Sequence, residues 1–267
     1  YGEYTGYMGR RTMAAVFEAT CITHRSDPIF CGLLSQMPPS ESSKMKKIAQ
    51  DANYLHHLRT ACNLPEVQDV WFDEIAVDSW CVVRFRNGTR QEVIWQALHA
   101  VLGRQFKVGK ICIAVDEDID PSEFESVQWA LSYRMQPEKD MLIVPNRGVS
   151  LDPSGMPPGG STANIVAQNF SGSAALINAT RKWPYPPVSL PAKEHMENAR
   201  AIWEELGLPT LEPRVPWHGY DLGDWDDRDR QEAAWAIRGE YARSGEISRQ
   251  ERVAITPGQE IGSEIDG

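Results

Sequence analysis

Two hydrophobic periods alternate along the chain, and the points where one gives way to the other divide it. Between residues 12 and 37 apolar positions alternate or gather in short β-branched runs, as in Ala14-Ala15-Val16-Phe17-Glu18-Ala19 and Cys21-Ile22-Thr23-His24. Asp27-Pro28 breaks the pattern before Ile29 to Leu34. This predicts extended strands. After Met37-Pro38-Pro39-Ser40 the period lengthens to that of a helix, with Met45, Ile48, Ala49, Ala52 and Leu55 on one face and Ser40 or Ser42 as its N-cap.

Strands and helices then alternate. Val67 to Asp73 and Trp80 to Phe85 read as strands. Asn87-Gly88 reads as a hairpin-type turn, and Thr89-Arg90-Gln91-Glu92 as a capping box opening a helix that turns Val93, Ile94, Ala97, Leu98 and Val101 inward. Ile111 to Val115 is a continuous apolar run, as a strand buried on both faces requires. A helix through Phe124, Val127, Ala130 and Leu131 and a strand at Met141 to Val144 follow. The alternation predicts an α/β sandwich.

Residues 145 to 173 hold much of the chain's Gly, Pro and Ser and read as a long loop. Lys193 to Leu206 reads as a helix with Met196, Ala199, Trp203 and Leu206 inward, stopped by Gly207 and Pro209. Trp217 to Trp225 is irregular, Asp226 to Arg243 reads as one amphipathic helix through Ala234, Ile237 and Tyr241, and the remainder is poor in apolar residues. No internal repeat is visible.

Charge narrows the function. With 37 acidic against 27 Lys and Arg residues in 267, and a sequence pI near 5.1, a groove that tracks phosphates is not expected, so nucleic acid is excluded as a partner. No run of about 18 apolar residues is present to span a bilayer, and no charged-then-apolar leader opens the chain. The five cysteines, Cys21, Cys31, Cys62, Cys81 and Cys112, are odd in number and lack a Cys-x-x-Cys spacing. They read as reduced core residues, which implies a cytoplasmic compartment.

Three groups of residues invite a chemical reading. The opening run, Tyr1-Gly2-Glu3-Tyr4-Thr5-Gly6-Tyr7, sets a carboxylate among glycines and tyrosines, an odd composition for a free terminus. The acidic run Asp116-Glu117-Asp118-Ile119-Asp120 stands at the end of an apolar strand. That position suits a divalent-metal site, or a magnesium-dependent phosphohydrolase of the haloacid-dehalogenase type with its Asp-x-Asp at 116 and 118. Against both, Asp120-Pro121-Ser122-Glu123 reads as an N-cap with Pro at the first helical position, which accounts for part of the cluster by helix-end chemistry. His56-His57 are adjacent on a helix and point in different directions, so they do not form a ligand pair, and Gly155, Gly159 and Gly160 do not stand between a strand and a helix as a phosphate loop requires.

The opening run resembles the tail of the motif Glu-Gly-Pro-Phe-Gly-Glu/Asp-x-x-Gly-Tyr of the UbiD family, decarboxylases that use prenylated FMN. Glu3 falls on the second carboxylate of that motif. The likeness continues in order through Thr20 to Arg25 with Asp27 to Phe30, Pro38-Pro39, Val115 to Asp120, Val127 to Ala130 with Arg134-Met135, and Asn178-Ala179-Thr180-Arg181-Lys182-Trp183, covering residues 1 to about 208. Two departures stand out: Asn178 replaces an Asp, and Gly172-Ser173-Ala174 lacks the lysine of the family's Gly-Ser-Lys.

The resemblance implies a division into 1–39 as the end of a prenylated-FMN-binding β domain, 40–190 as an α/β domain and 191–267 as a helical oligomerisation tail. It also implies reversible, non-oxidative decarboxylation of an aromatic or α,β-unsaturated acid, or its thioester, with Glu3 as general acid and base. The remaining flavin-binding residues, the first carboxylate, its arginine, and the ligands of a manganese or magnesium ion and of potassium are expected upstream of Tyr1. The expected partners are the N-terminal part of the same enzyme and further copies, from dimer to hexamer. The turn from the β domain into the first helix, with Met37, Pro38, Ser40 and Ser43, is expected to line the substrate. A chain of these residues alone is expected to be inactive, and an oligomerisation or assembly role without activity is the alternative.

Overall fold

The computed structural model describes residues 1–9, 15–148, 151–155, 172–191, 193–211 and 225–252. The chain divides into two compact units, one of Tyr1–Trp183 with Leu190–Leu222 and one of Pro184–Ser189 with Gly223–Gly267.

The first unit is built on a five-stranded mixed sheet. Its strands are β1 (Val67–Phe72), β2 (Trp80–Phe85), β3 (Ile111–Val115), β4 (Met141–Arg147) and β5 (Gly172–Ala179), in the order β1-β2-β3-β5-β4. The inner pairs β2/β3 and β3/β5 are parallel, while the edge strands β1 and β4 run antiparallel to their neighbours. The side-chain period of two puts Cys81, Val83 and Phe85 of β2 and Cys112 and Ala114 of β3 on one face, with Val82, Ile113 and Val115 on the other. Helices α1 (Glu41–His56) and α2 (Gln91–Arg104) supply Tyr54, Ile94, Leu98 and Val101 to the first core, and α3 (Phe124–Tyr133) supplies Val127 and Ala130 to the second. Helices on both faces make this the expected α/β sandwich.

β5 is the strand the sequence hid. Gly172-Ser173-Ala174-Ala175 carries no β-branched or aromatic residue and merges with the Gly- and Ser-rich stretch before it, so propensity does not mark it. It nonetheless lies inside the sheet, its register fixed on one side by Ile111↔Ala175 to Val115↔Ala179 and on the other by β4.

Helix α1 inverts its expected packing. Ser40 caps it, with the predicted box closed by Ser43: Ser43 N–H donates to Ser40 Oγ and Ser40 N–H to Ser43 Oγ at 2.8 Å. The apolar stripe, however, faces away from the sheet, with Met45 58% and Ile48 64% exposed, and Ser43, Lys47, Tyr54 and Leu58 are buried instead. The reason lies in β1, an edge strand whose free backbone groups need partners. Asp51 accepts from Phe72 N–H at 2.8 Å, and Arg59, in the π-turn His57–Ala61 that continues the helix, donates to the carbonyls of Val67 and Gln68. Lys47 pairs with Asp51, and its ammonium sits 3.0 Å from the centre of the Trp71 ring. Burial pushes the Asp51 carboxyl above its ordinary value, against the opposing pull of Lys47. A polar face does this work and an apolar one could not.

Several local expectations are corrected. Residues 15–36 form no strand, and no ladder partner exists for them among the described residues. Cys21 and Cys31 lie exposed on that segment, Cys62 is half-buried, and only Cys81 and Cys112 are core residues. Asn87-Gly88 turns β2 into α2 rather than into another strand. The capping box at 89–92 does not form: Arg90 is the N-cap of α2 with no side-chain bond, and Thr89 Oγ donates to the Arg86 carbonyl. Asp120 does not cap α3, which begins at Phe124; its carboxylate closes an Asx turn by accepting from Ser122 N–H at 2.8 Å. A short helix, α4 (Pro137–Asp140), leads into β4.

Helix α5 (Lys193–Glu205) ends at Gly207, whose φ of 64° is the left-handed conformation a helix stop uses. Met196, Ala199, Trp203 and Leu206 are not buried as expected, and Trp203 Nε1 donates to the Pro209 carbonyl at 2.6 Å. In the second unit, α6 (Asp227–Ile237) is capped by Asp226 and separated from α7 (Tyr241–Gln250) by Gly239, φ 75°, so the expected single helix is two. Its ion pairs, such as Arg228–Glu232 and Arg243–Glu240, are exposed and contribute little. The irregular stretch expected from Trp217 lies, up to residue 224, outside the described residues.

The packing makes a paired prediction. Leu98→Ala, in the fully buried face of α2, lowers the unfolding free energy by about 2–5 kcal/mol. Ile48→Ala, on the outward stripe of α1, changes it by no more than about 0.5 kcal/mol. Urea denaturation of the 267-residue chain measures both.

Candidate functional site

Two polar constellations stand out, one at the end of the sheet and one in the opening loop. The first lies where β3, α3 and β5 end. Asp116 directly follows β3 and is 5% exposed, and Arg134 directly follows α3 and is 4% exposed. The guanidinium forks onto Asp118, with Nη1 donating to Oδ1 at 2.8 Å and Nη2 to Oδ2 at 2.6 Å, while Nη1 also reaches Asp116 Oδ2 at 3.0 Å. Arg134 lies over the Trp129 ring at 4.9 Å. Asp116 Oδ2 accepts as well from the backbone N–H of Arg181 at 2.8 Å.

The segment after β5 completes the cluster. Lys182 Nζ donates to the carbonyls of Arg134 and Asn178 at 2.7 and 2.8 Å and pairs with Asp140 at 3.2 Å. Asn178, fully buried, donates to Gln91 Oε1 at 2.6 Å and accepts from Thr180 Oγ at 2.7 Å. The residues of the motif 178–183, the acidic run and Arg134 therefore form one network, and its main charges balance: Arg134, Arg181 and Lys182 against Asp116, Asp118 and Asp140.

Electrostatics separate the two carboxylates. Burial pushes Asp116 above its ordinary range, against the Arg181 N–H and the Arg134 charge. For Asp118 burial acts in the same direction, but the Arg134 fork outweighs it and holds the carboxyl below its usual value. Burial lowers the Lys182 ammonium despite Asp140. Oxygens committed to a guanidinium are poor ligands and poor nucleophiles, and among the described residues no group of three His, Cys, Asp or Glu is placed to hold a metal ion. The acidic run is a structural lock, and the phosphohydrolase reading of Asp116 has no geometric support.

The second constellation is the loop of residues 1–9. Gly2 and Met8 form an antiparallel bridge, Glu3 N–H donates to the Tyr7 carbonyl at 2.9 Å, Gly6 N–H to the Glu3 carbonyl at 2.9 Å, and Gly9 N–H to the Tyr1 carbonyl at 2.8 Å. Glu3 is half-buried at its centre, and its Oε1 lies 3.4 Å from where a methyl on Gly9 would sit. Among the described residues its carboxylate makes no hydrogen bond or ion pair. The loop presses on the turn before α1: a methyl on Gly6, φ 85°, would meet Met37 Sδ at 2.6 Å and Pro38 at 3.4 Å, and one on Gly2 would meet Gln36.

The structure thus brings the glycines on either side of Glu3 close to Gln36, Met37 and Pro38, while the Glu3 carboxylate itself lies beside Gly9. It does not bring Ser40 and Ser43 there with free hydroxyls, since both are spent on the cap of α1 and Ser43 is fully buried. His56 and His57 stand at the end of α1, with His57 Nε2 3.5 Å from Cys62 Sγ. Missed by sequence reasoning were Gln91 and Asp140, and the role of Lys47. The i,i+4 pairing of Lys47 with Asp51 was the available signal. Ala174, where the lysine is missing, is buried on the α2 side of the sheet and lines a cleft of about 110 Å³ with Tyr4, Phe106, Lys110 and Arg147.

Residues 43–179 match the 3-octaprenyl-4-hydroxybenzoate carboxy-lyase C-terminal domain family, UbiD_C. The chain belongs to this family. The fold agrees with solved UbiD-class structures. An evolved dimeric form of the enzyme HmfF from Pelotomaculum thermopropionicum, in complex with prFMN, superposes with a TM-score of 0.53 at 23% identity, over 72% of this chain and 38% of that one. Vanillic acid decarboxylase from Sedimentibacter hydroxybenzoicus, in its open form, gives 0.52 at 24% identity, over 69% of this chain and 38% of that one. The chain therefore spans little more than a third of the length of these UbiD-class structures. No described helix is long and apolar enough to cross a membrane.

The lock makes a pH-dependent prediction. Arg134→Met strands Asp118 and leaves Asp116 with Arg181 alone, and costs about 3–5 kcal/mol of stability at pH 7. Without the guanidinium both carboxyls rise in the folded variant, so they take up protons as pH falls and the penalty shrinks toward pH 5; in the parent, Asp118 is held low and its contribution is lost only as pH falls through that depressed value. Urea unfolding of both proteins at pH 5 and 7 reads the difference.

Proposed function

We propose that this chain is the C-terminal part of a UbiD-class decarboxylase acting reversibly and without net oxidation on an aromatic or α,β-unsaturated carboxylic acid or its thioester, with Glu3 as general acid and base. The observation that carries the reading is the loop of residues 1–9, which matches the family's second carboxylate in sequence, holds Glu3 half-buried without a described partner, and meets the turn at Met37 and Pro38 through Gly6.

Loss of carbon dioxide leaves an electron pair and a carbon that must be protonated. A modified flavin, when bound, supplies the electron sink. Glu3 supplies the proton to the vacated carbon and takes it back in the carboxylation direction. A carboxylate tied up in an ion pair could not do this, and that separates Glu3 from Asp116 and Asp118. Met37 and Pro38 form the wall of the site on the α1 side.

The described residues do not fit a flavin-phosphate or metal site. Their buried cations are Arg134, neutralised within the lock together with the half-buried Arg181 and Lys182, and Lys47, neutralised by Asp51. In this reading the flavin, its manganese or magnesium ion and potassium are held by the rest of the enzyme, residues 1–39 close that β domain, and the exposed segment with Phe17, Ile22 and Phe30 is covered by it. The enzyme is cytoplasmic and oligomeric, and the outward stripe of α1 and the tail helices supply apolar surface for subunit contact.

In the complete enzyme, Glu3→Gln lowers turnover by about 10²–10⁴-fold while flavin absorbance is retained. Near-normal activity of that variant removes Glu3 from the mechanism.

A further inference from the structure

Tyr4 is the one buried residue of a loop whose other aromatic residues are open to solvent: it is 8% exposed, against 89% for Tyr1 and 63% for Tyr7. Its ring lies under the Lys46 ammonium of α1 at 4.3 Å and forms a wall of the cleft that Phe106, Val108 and Arg147 line from the α2–β3 turn and the end of β4. The floor is rigid. Arg147 donates to the carbonyls of Leu102, Gln105 and Val108 at 2.9–3.1 Å, binding the end of α2 to β4. Lys110 is held by Asp152 at 2.7 Å and Ser154 at 2.8 Å on the rim.

We infer that Tyr4 is a positioning residue for Glu3, docking the loop of residues 1–9 on the α/β unit so that the adjacent carboxylate is aimed; this rests on the reading of Glu3 given above. The loop carries its own hydrogen bonds, which fix its shape but not its orientation. On one side glycines at 2 and 6 permit close approach of the Gln36 and Met37 side chains. On the other side Tyr4 is the interlock. Because Tyr4 directly follows Glu3, a rotation that lifts the ring from the cleft also swings the carboxylate. Displacement of a reacting group by about 1 Å costs on the order of 10²-fold in rate. The ring meets Lys46 and the cleft wall.

The test uses the complete, flavin-loaded enzyme and three variants. Tyr4→Ala lowers kcat about 10–100-fold with KM moved less than about threefold and flavin content unchanged. Amide hydrogen exchange in the peptide spanning residues 1–9 quickens about tenfold or more, while exchange in β2 and β3 stays at the parent level. Tyr4→Phe, which keeps the ring, recovers at least part of the rate and of the protection lost in Tyr4→Ala. Unchanged loop exchange in Tyr4→Ala, unchanged kcat, or a rise in KM alone overturns the inference, the last because it marks a substrate contact instead. Glu3→Gln, measured alongside, separates the two claims. Full activity there defeats the reading of Glu3 whatever Tyr4 does, whereas an inactive Glu3→Gln beside a fully active Tyr4→Ala defeats the positioning role alone.

Discussion

Burial of Arg134 between Asp116 and Asp118 is the constraint on which the α/β unit depends. A guanidinium and two carboxylates taken out of water are costly unless each finds its partner in good geometry, and here the fork on Asp118 and the further bond to Asp116 supply it. Such a cluster adds little net stability compared with an apolar core of the same volume. Its strength lies in what it forbids. Any arrangement that moves the end of α3 away from the end of β3 leaves an unpaired buried charge. Arg181 and Lys182 extend the same condition to the chain leaving β5. The register of β5 is thus defended from its C-terminal end, where polar partners are specific, rather than along its small-residue body, where packing is permissive.

The edge of the sheet is governed by a similar rule. β1 would expose its free backbone groups, and α1 meets them with Asp51 and with Arg59 just beyond its end. Because those side chains face the sheet, the apolar residues of the helix are turned outward. One face cannot both pair an edge strand and bury Met45 and Ile48. The stripe that amphipathicity marks as core is therefore the outer side of this helix, and the polar stripe is its inner side.

The legible parts of the chain were those where one signal dominated. β2 and β3 declared themselves through continuous apolar runs, and α2 through the spacing of Val93, Ile94, Ala97, Leu98 and Val101. β5 was hidden because its first half, Gly172 to Ala175, carries no strand propensity, and only Leu176 and Ile177 mark its place between β3 and β4. The capping signals at Thr89 and Asp120 were genuine local preferences, but their side chains found nearer partners, the Arg86 carbonyl and the Ser122 N–H. The acidic run was visible as a cluster, yet its meaning hung on Arg134, eighteen residues from Asp116 along the chain and adjacent only in the fold. Glu3 entered by resemblance alone, and the approach of its loop to Met37 and Pro38 through Gly6 follows from a loop closure that spacing does not encode.

Set side by side, the two polar constellations separate structure from chemistry by their hydrogen-bond accounts. In the lock the carboxylates are filled: Asp116, Asp118 and Asp140 all face cations, and the neighbouring amide of Asn178 is shared between Gln91 and Thr180. A group so engaged holds a fold well and reacts poorly, since freeing it costs the desolvation that pairing had offset. The opening loop is arranged in the opposite way. Its backbone bonds are satisfied internally, its glycines leave room, and its carboxylate is half-buried with no described partner. Proton transfer requires a carboxyl whose interactions are few enough to change during the reaction and a support stiff enough to keep it in place. Under the proposed role of Glu3, the loop would supply the first property and the α/β unit that carries it, with its buried ion cluster and the bonds of Arg147, the second.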